Sequence, residues 1–259
     1  MSIPASIQSL IDRGYTFQTS RYLTAGWRTF IQNPLPFIGF TGLFFSAQLL
    51  LSLIPVFGML GLMILMPAMD AGFFIGLYYQ RTQKPFSFSV FFKGFSAVAP
   101  LMAQYILSNL AYGILLMPLF ISLFSNIDLF ALLQNEELDT EALLNMESFD
   151  PWTLIWILPL IYLAVAWRWA PLFILFFQMT PWSAMESSRQ LISRQWGTQF
   201  LFALALAILY ASGILFFLAG VLLTYPLMKS MDYVAFASVT GMESQPSEEE
   251  DDSSRHLIE

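Results

Sequence analysis

The chain has no cysteine, one histidine and few charges. The missing cysteine excludes disulfides, thiolate metal sites and cysteine nucleophiles. The single histidine, His256, stands in a polar tail, which argues against zinc or haem sites built on imidazole. Charged residues make up 11% of the 259 residues, against about 25% in a soluble domain, too few to cover a water-facing surface. There is no basic stripe of the kind that binds nucleic acid. There is also no Gly-rich phosphate loop, no His-Glu-x-x-His, no Gly-x-Ser-x-Gly and no calcium loop with its central glycine. The expectation is a protein that is not an enzyme and needs no cofactor.

What the chain does have is apolar length. Hydrophobic residues make up 57%, with 26 Phe and 7 Trp. Six stretches approach the roughly twenty residues that a hydrocarbon core demands: Leu35–Ile54, Phe57–Tyr79, Ala97–Phe124, Trp152–Gln178, Thr198–Phe217 and Leu218–Ala237. They are continuous rather than alternating, so they read as helices and not as barrel strands. The last two nearly merge, and a tight turn is expected near Gly213–Gly220. The reading is all-α: a polytopic membrane protein with about six transmembrane helices.

Lysine and arginine set the orientation. Arg13, Arg21 and Arg28 precede the first stretch; Arg81, Lys84 and Lys93 follow the second; Arg189 and Arg194 follow the fourth. The segment after the third holds seven acids (Asp128, Glu136, Glu137, Asp139, Glu141, Glu147 and Asp150) and no lysine or arginine. The positive-inside rule then predicts cytoplasmic termini and an outward acidic loop. Residues 1–24 form an N-terminal cytoplasmic segment without the features of a secretion signal. Residues 25–240 form the membrane domain, with the acidic loop at 125–151 and a short helix near Glu136–Met146. Residues 241–259 read as a disordered acidic tail.

Three segments between the spans are amphipathic: Ser20–Asn33, Phe86–Phe95 and Trp182–Trp196. They are expected to lie in the membrane interface with basic side chains toward lipid headgroups. An internal repeat also shows. Gly26-Trp27-Arg28-Thr29-Phe30-Ile31-Gln32-Asn33 leads to a span, a turn and a helix with Pro67 and Asp70; Ser188–Trp196 leads to a span, a turn and a helix with Pro226 and Lys229. Both copies would start and end on one side, which makes two parallel three-helix-like repeats and argues against an inverted-repeat transporter.

Four ionisable residues fall inside apolar stretches: Asp70, Arg168, Lys229 and Asp232. Each costs roughly 2.5 to 3.5 kcal/mol to insert, so each is a functional candidate. Their charges cancel. Lys229 and Asp232, three apart, are expected to pair on one helix face, leaving Asp70 to Arg168. Such a cluster either fixes helix register or lines a site for a headgroup or ion, and its neutrality favours the first. Pro67, Pro118, Pro159, Pro171 and Pro226 would kink their helices.

Gly26-Trp27-Arg28-Thr29-Phe30, Asn33-Pro34, Pro67-Ala68-Met69-Asp70-Ala71-Gly72 and Phe91-Phe92-Lys93-Gly94-Phe95 together resemble an uncharacterised bacterial integral membrane protein family of BPSS type. Pro181-Trp182-Ser183-Ala184, Trp196, Gly213, Gly220, Thr224, Pro226-Leu227 and Tyr233 are similar to the same family and to the membrane domain of glycerophosphodiester phosphodiesterases. The resemblance covers about Ala25 to Gly241. It implies a six-helix bacterial inner-membrane fold but not an activity, because most members have none assigned; the hydrolase domain that some relatives carry is missing here, so phosphodiesterase activity does not transfer. The expected role is a scaffold or membrane-organising protein whose partners are membrane lipids and a protein at the cytoplasmic face. The alternative is a transporter or binder of lipid or small polar solute that uses the intramembrane charges.

Overall fold

The computed structural model describes residues 4–124 and 151–244. Among them are ten α-helices, three short 3-10 segments and no strand. The helices are α1 (Ala5–Arg13), α2 (Thr19–Gln32), α3 (Pro34–Ser52), α4 (Phe57–Arg81), α5 (Val98–Phe124), α6 (Ile157–Ala166), α7 (Ala170–Phe177), α8 (Pro181–Ser193), α9 (Trp196–Leu215) and α10 (Phe217–Thr240). The 3-10 segments are Phe88–Ala97, Pro151–Trp156 and Met242–Ser244. Among the described residues, five segments are long and apolar enough to cross a membrane: Pro34–Ser52, Phe57–Arg81, Phe88–Ser122, Pro151–Phe177 and Trp196–Leu215. The acidic loop, its expected helix and most of the acidic tail lie outside the described residues.

The chain divides into two compact units, 1–105 with 166–259, and 106–165. In the second, α5 exposes Ile106, Leu110, Ile114, Met117 and Ile121, and α6 exposes Leu158 and Ile161. A helix that turns Leu and Ile outward over this length has lipid as its natural solvent.

The first unit is built around the second half of α10. From Ser230 to Ala237 every residue is buried, including Tyr233 and Phe236, so this helix has protein on all sides. It packs against α2, α3, α4 and α9. Close approach is secured by small residues. A Cβ on Gly26 would overlap the Met231 backbone, and Ser230 donates to the Gly26 carbonyl at 2.8 Å. On α4 a Cβ at Gly72 would overlap the Phe91 carbonyl, and one at Gly94 would overlap the Ala68 carbonyl, which seats segment Phe88–Ala97 directly on that helix.

Each amphipathic segment therefore meets a Pro-containing or broken helix. Phe88–Ala97 packs on α4, α8 on α7, and α2 on α10. Their apolar faces are largely turned to protein rather than to lipid. Tyr22 and Phe30 of α2, Phe91, and Met185, Leu191 and Ile192 of α8 are buried, while Trp27, Ile31 and Trp182 stay exposed.

Three local features differ from the sequence reading. The N-terminal segment contains a helix, α1, whose Ile7 and Ile11 are buried as it packs on α8. The fourth apolar stretch is not one helix: it breaks between Ala166 and Ala170, ahead of Pro171. Ser188 spans the break, accepting from the Trp169 N–H at 3.2 Å and donating to the Ala166 carbonyl at 2.6 Å. The start of the tail is ordered, because Glu243 is gripped by Arg81 at 2.6 and 2.8 Å. The turn between α9 and α10 falls where expected and takes a single residue, Phe216. A Cβ on Gly220 would overlap the Gly213 carbonyl there.

Candidate functional site

The four charges are brought into two ion pairs, and the pairing is not the expected one. Lys229 Nζ lies 2.6 Å from Asp70 Oδ1, joining α10 to α4. Arg168 Nε lies 3.0 Å from Asp232 Oδ1, joining the α6–α7 break to α10. The i,i+3 spacing of Lys229 and Asp232 allows a pair on one helix, but each finds a partner on a different neighbour. An interhelical pair holds register as well as neutralising charge, which a pair along one helix cannot do.

Asp70 is the more elaborate of the two centres. Tyr225 donates to Oδ1 at 2.6 Å and Lys229 to Oδ2 at 2.8 Å. The ammonium of Lys229 also sits 5.2 Å from the Phe74 ring and 5.3 Å from the Tyr225 ring, within cation–π range. Asp70 follows Pro67 by three residues, and Lys229 follows Pro226 by three. Each proline withholds one N–H and so frees the carbonyl four residues before it, at Met63 and Leu222, about two turns ahead of the charges.

The pair borders a cavity of about 250 Å³. Pro67, Asp70, Gln104, Pro171, Tyr225 and Lys229 are among its lining residues. Both charged side chains keep some exposure, 14% for Lys229 and 27% for Asp70. The charged faces of a neutral pair are thus presented to a mostly apolar hollow. A cavity of this size falls just under the roughly 300–1,000 Å³ of drug-sized ligand sites, and so matches a small polar group.

The second centre is closed. Asp232 Oδ1 accepts from the Trp169 indole N–H at 2.9 Å. Arg168 donates through Nη2 to Gln199 Oε1 at 2.7 Å, and its guanidinium lies 5.3 Å from the Trp169 ring and 5.2 Å from Phe202. Its Nε is near enough to Asp232 for an ion pair but is not aligned for a hydrogen bond, and its buried Nη1 has no acceptor. Gln199 donates onward to Tyr15 Oη at 3.0 Å, and Tyr15 donates to the Leu191 carbonyl at 3.1 Å. Burial pushes the Tyr15 phenol up to about 12, against the smaller downward pulls of Gln199 and Arg168. This network ties the α6–α7 break, α8, α9 and α10 to the segment after α1, and it reads as structural.

A third polar cluster lies at the end of α4. Arg81 also donates to Thr29 Oγ1 at 3.0 Å, and Tyr233 donates to Glu243 at 3.1 Å. On α8, Glu186 accepts from Arg189 and Gln190, and the Arg189 guanidinium holds its carboxyl below the usual range.

The four charges were visible in the sequence, and Trp169 stood beside Arg168 as a candidate cation–π partner, but Tyr225, Gln199, Ser188 and Tyr15 were not singled out with them. Tyr225 had one signal, its place beside Pro226. Among the described residues no group of three or more acidic or histidine side chains is placed to hold a metal ion. Comparison of the chain with protein-family models, with curated proteins and with solved structures finds no match in any of the three.

Proposed function

We propose that this is a six-span inner-membrane protein of bacterial type, with both termini in the cytoplasm, that binds a small polar group within the membrane at the Asp70–Lys229 cavity. The observation that carries the binding role is the cavity itself, in which a partly buried ion pair and a tyrosine are offered to a mostly apolar hollow between proline-bearing helices. A purely structural pair has no need of the hollow; the Arg168–Asp232 centre shows what such a pair looks like when closed.

The sixth span in this reading is α10. At 1.5 Å per residue its 24 residues reach about 36 Å, enough to cross. Lys229 and Asp232 lower its hydropathy, and both are neutralised by neighbours. Orientation rests on Arg28, Arg81, Lys84, Lys93, Arg189 and Arg194, which all follow or precede spans at one end. The repeat also gains support. The Pro67–Asp70 and Pro226–Lys229 positions are repeat equivalents, and their charges pair with each other. Phe88–Ala97, α8 and α2 each pack on a proline-bearing helix, α4, α7 and α10 respectively. A scaffolding role would need a partner surface, and the intramembrane cavity favours binding over it.

Mass spectrometry of protein released gently from membranes tests the reading. A retained small-molecule mass is expected, lost on Asp70→Asn and kept on Glu186→Gln. Identical spectra for all three proteins would refute it, as would retention of a protein partner alone.

A further inference from the structure

A second recess lies beside the first. A groove of about 540 Å³ runs along α3, lined by Gly42, Phe45, Ser46, Leu49 and Ser52, with Leu222 of α10 at its edge. Tyr225 separates the groove from the charged cavity. Its ring centroid lies 5.8 Å from Phe44, which lines the cavity, and 5.4 Å from Phe45, which lines the groove. Its hydroxyl holds Asp70, and Leu222 stands one helical turn before it. Groove and cavity thus meet where the Tyr225 ring of the cavity packs on the Phe45 ring of the groove. A Cβ on Gly42 would point across the groove to Leu222 at 3.8 Å, so a larger side chain there would fill it.

Two features restrict what can fill this pair of recesses. The cavity presents a cation and an anion side by side. A ligand of one sign would leave the other partner buried and unpaired, which is strongly unfavourable in low dielectric; a zwitterion offers an anion to Lys229 and a cation to Asp70 together. The cavity is also too small for a hydrocarbon chain in addition to a headgroup, while the adjoining groove is walled by Phe45, Leu49 and Leu222.

We infer that the site takes a zwitterionic amphiphile, with its phosphate on Lys229, its ammonium on Asp70 and one acyl chain lying past Tyr225 in the α3 groove. The inference rests on the reading of the cavity as a binding site. It adds the headgroup chemistry and the chain path.

The test uses the full chain in a nonionic detergent and two probes. One is a phosphatidylethanolamine carrying a photoreactive diazirine near the end of one acyl chain. The other is glycerophosphoethanolamine, which has the headgroup and no chain. Labelling is expected on the peptide 45–53 and around Leu222, and about tenfold lower in Lys229→Gln. Gly42→Leu and Ser46→Leu, which fill the groove, are expected to lower labelling similarly while still showing the thermal shift caused by glycerophosphoethanolamine. A phosphatidylglycerol with the same diazirine is expected to label weakly. Groove variants that label like the parent would overturn the chain path and leave the cavity as a site for a free zwitterion. Unchanged labelling and thermal shift in Lys229→Gln would overturn the binding reading itself. Equal labelling by both lipids over all outward faces would show only a lipid annulus and overturn the inference.

Discussion

Lys229 reaches across from α10 to Asp70 of α4 at 2.6 Å, each three residues beyond a proline, while its helix neighbour Asp232 turns instead to Arg168 at 3.0 Å. The four charges are therefore two separate interhelical bonds, and they should behave as such in mutagenesis. Asp232→Asn combined with Arg168→Gln is expected to cost less than the sum of the single changes, by roughly 1 kcal/mol. Asp70→Asn combined with Arg168→Gln should be additive within about 0.5 kcal/mol. Unfolding by titration with a denaturing detergent measures both.

Close helix contacts supply the second expectation. Gly26→Val would drive a side chain into the Met231 backbone, and Gly94→Val into the Ala68 carbonyl. Neither neighbour can yield without moving a helix, so each change should lower stability by about 1–3 kcal/mol or prevent folding. Gly197→Ala is the control: nothing lies within 4 Å of a Cβ there. Its melting temperature is expected to match or slightly exceed the parent's.

The foot of the tail gives a third. Ending the chain after Gly241 removes Glu243 and leaves Arg81 and Tyr233 without the carboxylate they share. Ending it after Ser244 keeps that contact. The first truncation should melt below the parent and the second with it. Arg81→Gln should reproduce the first, by about 1 kcal/mol because the pair is part-exposed.

Tyr15 makes the fold alkali-sensitive. Its native pKa is raised from 10.0 to about 12 by burial, so the folded state holds the phenolic proton more tightly than the unfolded one. The stability it contributes is complete below pH 10 and falls away as the pH rises through 12. Tyr15→Phe removes this dependence along with the bond to Leu191. Absorbance of the ionised phenol, followed with and without the substitution, should show one late-titrating tyrosine fewer in the variant.

Helical class and most span positions were legible in the sequence because continuous apolar length is enough to define a membrane helix. Pro171 marked a kink in the fourth stretch, but the full break at 167–169 was not legible, because its repair depends on Ser188, a residue from another helix that meets it only in the folded chain. Buried Ile7 and Ile11 are four apart, a helical signal hidden in a segment too short and polar to stand out. The charges announced themselves by the cost of their surroundings, yet their partners did not. Spacing along one helix proposed Lys229 with Asp232, whereas packing decided in favour of Asp70 and Arg168. Tyr225 and Gln199 stayed silent because a neutral polar side chain costs less to bury than a charge and marks its position less sharply.

The most direct measurement is a double-mutant cycle on Asp70→Asn and Lys229→Gln, read as unfolding free energy in detergent. Either single change should leave one partly buried charge unpaired and destabilise the protein, while the double change, which removes both charges, should recover roughly 1–2 kcal/mol of the summed loss. A double variant as damaged as the sum of the two singles would contradict the Asp70–Lys229 bond, and with it the cavity built around that bond.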